Sequence, residues 1–342
     1  MATQSSVLAI DVSLASNKAK ELQNVSDGAL LESISPSSTL DLLPTVQKRP
    51  QPLRRQRFSN ENYAITIQED GRAFAVGASS LTDAEGNVFV GHLGCCNGAD
   101  SSVWAEQPVA APTEVIFPES VRGQVIEVAG GDAHSLFLLR DGSVWSAGSG
   151  VEGEHGHGTR GAIGIPRALS SLINTLVPIS RIAAGSAHSL ALDERGRTYS
   201  WGWGRHGQCG HGDIQTVLEP RAVAGLSEVV ITQIAAGRAH SLALSASGHL
   251  YSFGSQVSGQ CGHGVSGADA PKQTVPRVVE ALASIGCVRA IFAAADLSAA
   301  VVEGSVSSAA METASTCSDL FKWGGGMDEI HCNIPMRVVT QP

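Results

Sequence analysis

Apolar and polar positions alternate through SLALSASGHLYSFG (residues 241–254), where two short runs flank a turn containing Gly248. A period of two around a glycine-bearing turn is the pattern of a half-buried strand hairpin. The same alternation returns throughout the second half of the chain. Runs with helical period are scarce, and a short helix is predicted only near Ala222–Val230.

The hairpins are copies of one unit. VAGGDAHSLFLLRDGSVWSAGSG from Val128, AAGSAHSLALDERGRTYSWGWG from Ala183 and AAGRAHSLALSASGHLYSFGSQ from Ala235 align without gaps. Their histidines, His134, His188 and His240, stand 54 and 52 residues apart. Each is followed by one glycine (Gly142, Gly196, Gly248) and then by a second (Gly148, Gly202, Gly254). A fourth copy puts Tyr63 in the histidine slot and a decayed fifth puts Leu297 there. An aromatic residue recurs before the second glycine (Phe74, Trp145, Tyr199, Tyr251, Phe321), and proline-led strand starts recur at 112, 166, 220, 276 and 335. Four short strands per roughly fifty residues, repeated, predict an all-β fold of radially arranged four-stranded sheets, a β-propeller.

This repeat decides how GWGRHGQCGHGD (202–213) is read. Gly202, Gly204 and Gly207 match the G-x-G-x-x-G pattern of dinucleotide binding, which occurs once and opens a helix. Here the glycines have counterparts at Gly148, Gly150 and Gly153 and lead into loops, so they are expected to be architectural.

The chain has 342 residues, 38 glycines, 16% charged residues and a net charge of −9. Residues 1–57 carry a net +2, which leaves −11 on residues 58–342, so direct nucleic-acid binding is disfavoured. No apolar run approaches the ~20 residues of a membrane helix. Seven cysteines and a first segment without a basic start are read as free thiols in a reducing, cytoplasmic or nuclear setting.

The units resemble the regulator of chromosome condensation repeat family, whose blades follow A-x-G-x-x-H-[ST]-x-A-L…G-x-[VL]-[YF]-x-[WF]-G…G-Q-x-G-x-G. The match is strong over residues 128–264 and recognisable from 58 to 342. The resemblance implies a ring usually of seven blades. At this spacing the 285 residues from Phe58 to Pro342 hold five to five and a half units, so an incomplete or reduced ring with about five to six recognisable blades is expected. Residues 1–57 are read as an extension or degenerate blade, with a basic linker at 47–57 that doubles as a candidate nuclear-import signal.

Several constellations invite chemistry. His155 and His157, Cys209 and His211, and Cys261 and His263 have metal-ligand character at a spacing of two. Equivalent positions in successive blades lie too far apart to share one tetrahedral ion, so structural filling is expected and no metal or cofactor is assigned. His134, His188 and His240 are read as buried imidazoles bonded to backbone groups, with no acid–base partner to form a triad. One branch of the family senses ultraviolet-B light through tryptophans in G-W-R-H-[ST] motifs; the matching slots here hold Asp132, Ser186 and Arg238. Cys95 and Cys96 are read as loop thiols.

No nucleophile–base pair, single phosphate loop or converged ligand set supports an enzyme or a small-molecule substrate. The reading is a non-enzymatic scaffold or regulator that binds a protein partner. Asp132, Asp193, Asp213, Arg205 and His206 are its candidate contact residues, and the insertions at 78–111 and 303–319 are further contact sites. The resemblance implies two alternatives: nucleotide exchange on a Ran-like small GTPase, or regulation of the kind performed by alpha-tubulin suppressor proteins.

Overall fold

In the computed structural model, residues 57–59, 63–77, 80–82, 88–90, 109–173, 177–304, 318–325 and 332–338 are described. The chain partitions into Met1–Gln47 and Lys48–Pro342, and every described residue belongs to the second unit. The extension at 1–57 therefore lies outside the described residues, Arg57 excepted.

Five four-stranded antiparallel sheets follow one another along the chain. Sheet I holds β1 (Arg57–Ser59), β2 (Tyr63–Ile67) and β3 (Ala73–Gly77); a small ribbon, β4 (Ser80–Thr82) with β5 (Val88–Val90), precedes its outer strand β6 (Val109–Glu114). Sheet II is β7 (Val125–Gly130), β8 (His134–Leu139), β9 (Val144–Gly148) and β10 (Ile163–Ala168). Sheet III is β11 (Ile179–Ala184), β12 (His188–Asp193), β13 (Thr198–Gly202) and β14 (Val217–Ala222). Sheet IV is β15 (Ile231–Ala236), β16 (His240–Ser245), β17 (Leu250–Gly254) and β18 (Gln273–Val278). Sheet V is β19 (Gly286–Ala294), β20 (Leu297–Gly304), β21 (Ser318–Gly324) and β22 (Cys332–Arg337). Each is a propeller blade whose strands pair in chain order. The expected repeat and fold class therefore hold, with five blades described.

The glycine after each second strand closes the hairpin with positive φ: +82° at Gly142, Gly196 and Gly248 alike. An L side chain pays a steric penalty there that glycine does not. The core lies between blades, in four slabs. Ile65, Phe137 and Leu139 belong to the slab between sheets I and II, and Leu136, Leu169 and Trp201 to that between II and III. Phe253 and Leu226 fill the next slab, and Leu250, Phe321 and Trp323 the last. Alternation along β8 explains this: Phe137 and Leu139 face one neighbouring blade, Leu136 and Leu138 the other.

Two local expectations change. The recurring prolines do not begin strands; each occupies the fourth position of a six-residue outer strand, as Pro166 does in β10 and Pro220 in β14. The ladder register shifts across each of the five prolines. Proline has no N–H to give, so it suits an edge strand where pairing is already interrupted. The predicted helix at Ala222–Val230 is a single 3-10 turn, Ala224–Leu226. One-turn helices α1 (Ser170–Ile173) and α2 (Glu280–Ala283) occupy the equivalent places. All three serve to insert a leucine, Leu172, Leu226 or Leu282, six residues beyond the blade's proline. No helix among the described residues is long and apolar enough to cross a membrane.

Candidate functional site

The histidine repeat builds the joints between blades. His134 Nε2 lies 2.8 Å from Ser189 Oγ, His188 Nε2 2.9 Å from Ser241 Oγ and His240 Nε2 2.8 Å from Ser298 Oγ. Each serine belongs to the following sheet. Each hydroxyl donates in turn to a loop carbonyl of the histidine's own blade: Glu154, Gln208 or Gln260, at 2.8–2.9 Å. A hydroxyl has one proton, so its donation to the carbonyl leaves it to accept from the imidazole. Nε2 therefore carries the hydrogen in each ring.

The partner is thus a side-chain hydroxyl of the next blade, not the backbone group anticipated from the sequence. Burial depresses the pKa of His188 to about 3 and of His240 to about 4. Among the described residues, Nδ1 of both rings lacks a hydrogen-bond partner, so a second proton would have no acceptor there. Room for each ring comes from the glycine three residues earlier. A Cβ on Gly185 would sit 2.2 Å from His188 Cε1 and 2.4 Å from the Gly237 carbonyl of the next blade. Gly131 and Gly237 make the same close approach to His134 and His240.

The first joint uses a different donor. Tyr63 OH shares its one proton between the carbonyls of Gly131 and His134, at 3.0 and 2.8 Å, and receives a 3.3 Å bond from Ser135. Burial raises its pKa.

The metal-like pairs do not converge, and no cluster of three or more ligand-type residues occurs among the described residues. His157, His211 and His263 each bond through Nε2 to a serine of their own blade, Ser146, Ser200 and Ser252, at 2.9–3.0 Å. Those serines donate to the carbonyls of His155, Cys209 and Cys261. Cys209 and Cys261 are buried, and desolvation pushes the Cys209 thiol up to about 12, which suppresses its thiolate. No helix springs from Gly207; turns Gly204–Gly207 and Gly207–Gly210 follow each other, as Gly150–Gly153 and Gly153–Gly156 do in the preceding blade. Gly148, Gly202 and Gly254 end their third strands at positive φ, as architectural glycines. Cys95 and Cys96 lie outside the described residues.

Strand direction sorts the remaining candidates. Within every sheet the links from first to second strand and from third to fourth leave at one end, and the hairpins leave at the other. Backbone bonds tie successive sheets at the first of these ends, from Asp132 N–H to Ser186 O, Ser186 N–H to Arg238 O and Arg238 N–H to Ala295 O. Asp132, Arg205, His206 and Asp213 all belong to this loop-bearing end, the first two and Asp213 exposed and His206 half-buried. Asp193 does not join them. It sits at the hairpin end, 1% exposed, where its carboxylate accepts the N–H groups of Arg195 and Arg197 and the hydroxyl of Tyr199. An Asp side chain competes well for turn N–H groups, so a turn residue with no surface role resulted.

Two residues at the loop-bearing end were not among the contact candidates that the sequence suggests. Trp203, half-buried, meets His206 edge-on at 4.8 Å in a slot that holds Ser149 and Ser255 in the adjacent blades. Exposed Arg238 fills the slot considered above for light sensing. The aligned copies carried both signals, since each departs from its siblings in size or charge. The expected insertions start from opposite ends: β3 leads into one at the loop-bearing end, and β20 into the other at the hairpin end. Residues 91–108 and 305–317 themselves lie outside the described residues.

Comparison with known proteins agrees with this architecture. Profiles of the regulator of chromosome condensation (RCC1) repeat match residues 141–192, 195–244 and 247–301, and a second profile of the same description matches 125–154, 179–208 and 231–260. The mouse E3 ubiquitin-protein ligase HERC2 is 28% identical over 73% of this chain, which spans 5% of that protein; the likeness is confined to its RCC1 region. The Arabidopsis thaliana ultraviolet-B receptor UVR8 is 32% identical over 59% of this chain and 42% of its own. The fold of Saccharomyces cerevisiae Prp20p, whose structure was described with its binding to Gsp1p and histones, superposes with a TM-score of 0.62 at 22% identity, over 83% of this chain and 63% of that one. With its blades, its interlocking histidines and its glycine turns accounted for, the chain belongs to the RCC1 repeat family.

Proposed function

We propose that this protein is a non-catalytic scaffold that binds a protein partner through the loop-bearing end of its blades. One observation carries the reading: the described histidines and thiols that looked reactive, His134, His188, His240, His157, His211, His263, Cys209 and Cys261, are buried or bonded within and between blades. What the loop-bearing end leaves exposed is recognition chemistry, Asp132, Arg205, Asp213 and Arg238 beside Trp203 and His206. Tryptophan and arginine dominate the energetics of protein interfaces. A rim of loops carried on sheets suits docking, and among the described residues no group there is set to activate a nucleophile.

A second reading, nucleotide exchange on a Ran-like small GTPase, draws support from Prp20p and its Gsp1p binding. Residues 47–57, if they serve nuclear import, would place either activity in the nucleus. The test is affinity capture from a cell lysate with the full chain and with the Arg205→Glu/Arg238→Glu variant. Docking at this end predicts a captured partner that the variant loses; equal capture by both would refute it. A nucleotide-release assay on the captured GTPase, if there is one, separates the two readings.

A further inference from the structure

The loops of blades III and IV that carry Arg205, Arg238 and Lys272 adjoin one another. Trp203 N–H bonds to Ala187 O, and the next residue back, Ser186, bonds through its N–H to Arg238 O, which brings the two loops together. On the other side, a Cβ on Gly207 would meet Gln273 O at 2.9 Å, so the 204–207 turn abuts the residue after Lys272. His206 senses that lysine: the Lys272 charge, added to burial, depresses its pKa, which keeps the ring neutral. Arg205, Arg238 and Lys272 are exposed, and none forms an ion pair with the described residues. The acids nearby keep their charge but do not pair with these cations; each accepts a neutral donor instead. Asp296 accepts from Gln260 Nε2, Asp213 from Gln215 N–H, and Asp132 from Ser186 Oγ. Exposed apolar side chains, Ile214 at 44% and Val257 at 43%, stand in the links between third and fourth strands of the same two blades.

We propose that Trp203, Arg205, His206, Arg238 and Lys272 form a docking site for an acidic peptide segment that carries an apolar side chain. The proposal deepens the docking reading above and rests on it. Three cations without ion-pair partners on loops that adjoin a half-buried indole attract carboxylates and give an apolar residue a surface to cover. A short peptide fits better than a nucleic acid: it can end within the three cations, whereas a long phosphate chain would carry its charge on across a body whose net charge is already negative.

The test uses the folded full chain and a fluorescein-labelled Glu/Asp-rich peptide with a central leucine, followed by anisotropy. The expected result is saturable binding that weakens as salt rises. Arg205→Glu/Arg238→Glu should weaken it by about tenfold or more, and Trp203→Ser, which installs the residue of the sibling blades, by about tenfold. Arg195→Glu at the hairpin end should leave it unchanged. Absence of saturable binding, indifference to the reversals, or displacement by single-stranded DNA more readily than by unlabelled peptide would each overturn the proposal. If lysate capture depends on Arg205 and Arg238 while the peptide fails to bind, the acidic chemistry falls and the docking reading stands.

Discussion

The joint between sheets I and II and the three joints that follow it face the same task with different side chains. Each must close a polar seam in an otherwise apolar slab. Between II and III, III and IV, and IV and V, an imidazole reaches a serine of the next blade, and the serine returns a bond to the loop of the first. Between I and II, a phenol reaches two backbone carbonyls directly. The relay also explains the decayed end copies. Sheet I keeps a donor, Tyr63, with Ala64 where the others have serine; sheet V keeps Ser298 with Leu297 where the others have histidine. Each terminal sheet retains the half of the relay that faces its described neighbour. What a repeat loses is informative once the direction of its contacts is known.

The comparison can be broken at its centre. His188→Ala removes a fully buried ring and leaves Ser241 Oγ without its donor, so a loss of about 2–4 kcal/mol is expected in denaturant unfolding. A loss no greater than that from the tyrosine change below would show that the relay is ornamental. The same joints set a pH dependence. The folded pKa of His188 and His240 lies below the ordinary 6.5, so the unfolded chain takes up protons first as pH falls. Their stabilising effect is complete above about pH 6.5 and drains away toward pH 4 and below, measured as a falling melting temperature. His188→Ala should flatten that decline.

Tyr63→Phe tests the first joint alone. It deletes one hydroxyl and should cost about 1–1.5 kcal/mol, less than the histidine change because the aromatic packing against Phe58, 5.3 Å away, survives. The smallest effect is expected at Glu154, buried where the equivalent loops carry Gln208 and Gln260. Burial raises its carboxyl pKa, so the folded state holds that proton more tightly than the unfolded one and stability falls as pH rises from about 4.5 through the folded value. Glu154→Gln should therefore gain under about 1 kcal/mol at neutral pH and nothing in acid, read from unfolding midpoints at both.

Much of this was legible in residue spacing. Hairpins, the glycines that turn them, the fifty-odd-residue period and five of the blades follow from alternation and internal repetition, because strand period and positive φ are local demands. The H-S dipeptide was visible in three copies, yet its meaning was not. His134 and Ser189 meet across 55 residues, and only the packing of one blade on the next shows which histidine serves which serine. The same holds for Asp193, a turn acid like Asp213 in sequence and buried in the fold.

Blade chemistry, then, was written into the chain, while the assignment of polar residues to seam or surface was decided by tertiary structure. The physical reason is range: a turn or a strand satisfies its own backbone within a few residues, whereas a buried imidazole is satisfied by whatever group the neighbouring sheet delivers. Trp203 and Arg238 became a candidate surface for the same reason, since only the stacking of blades III and IV brings their loops side by side.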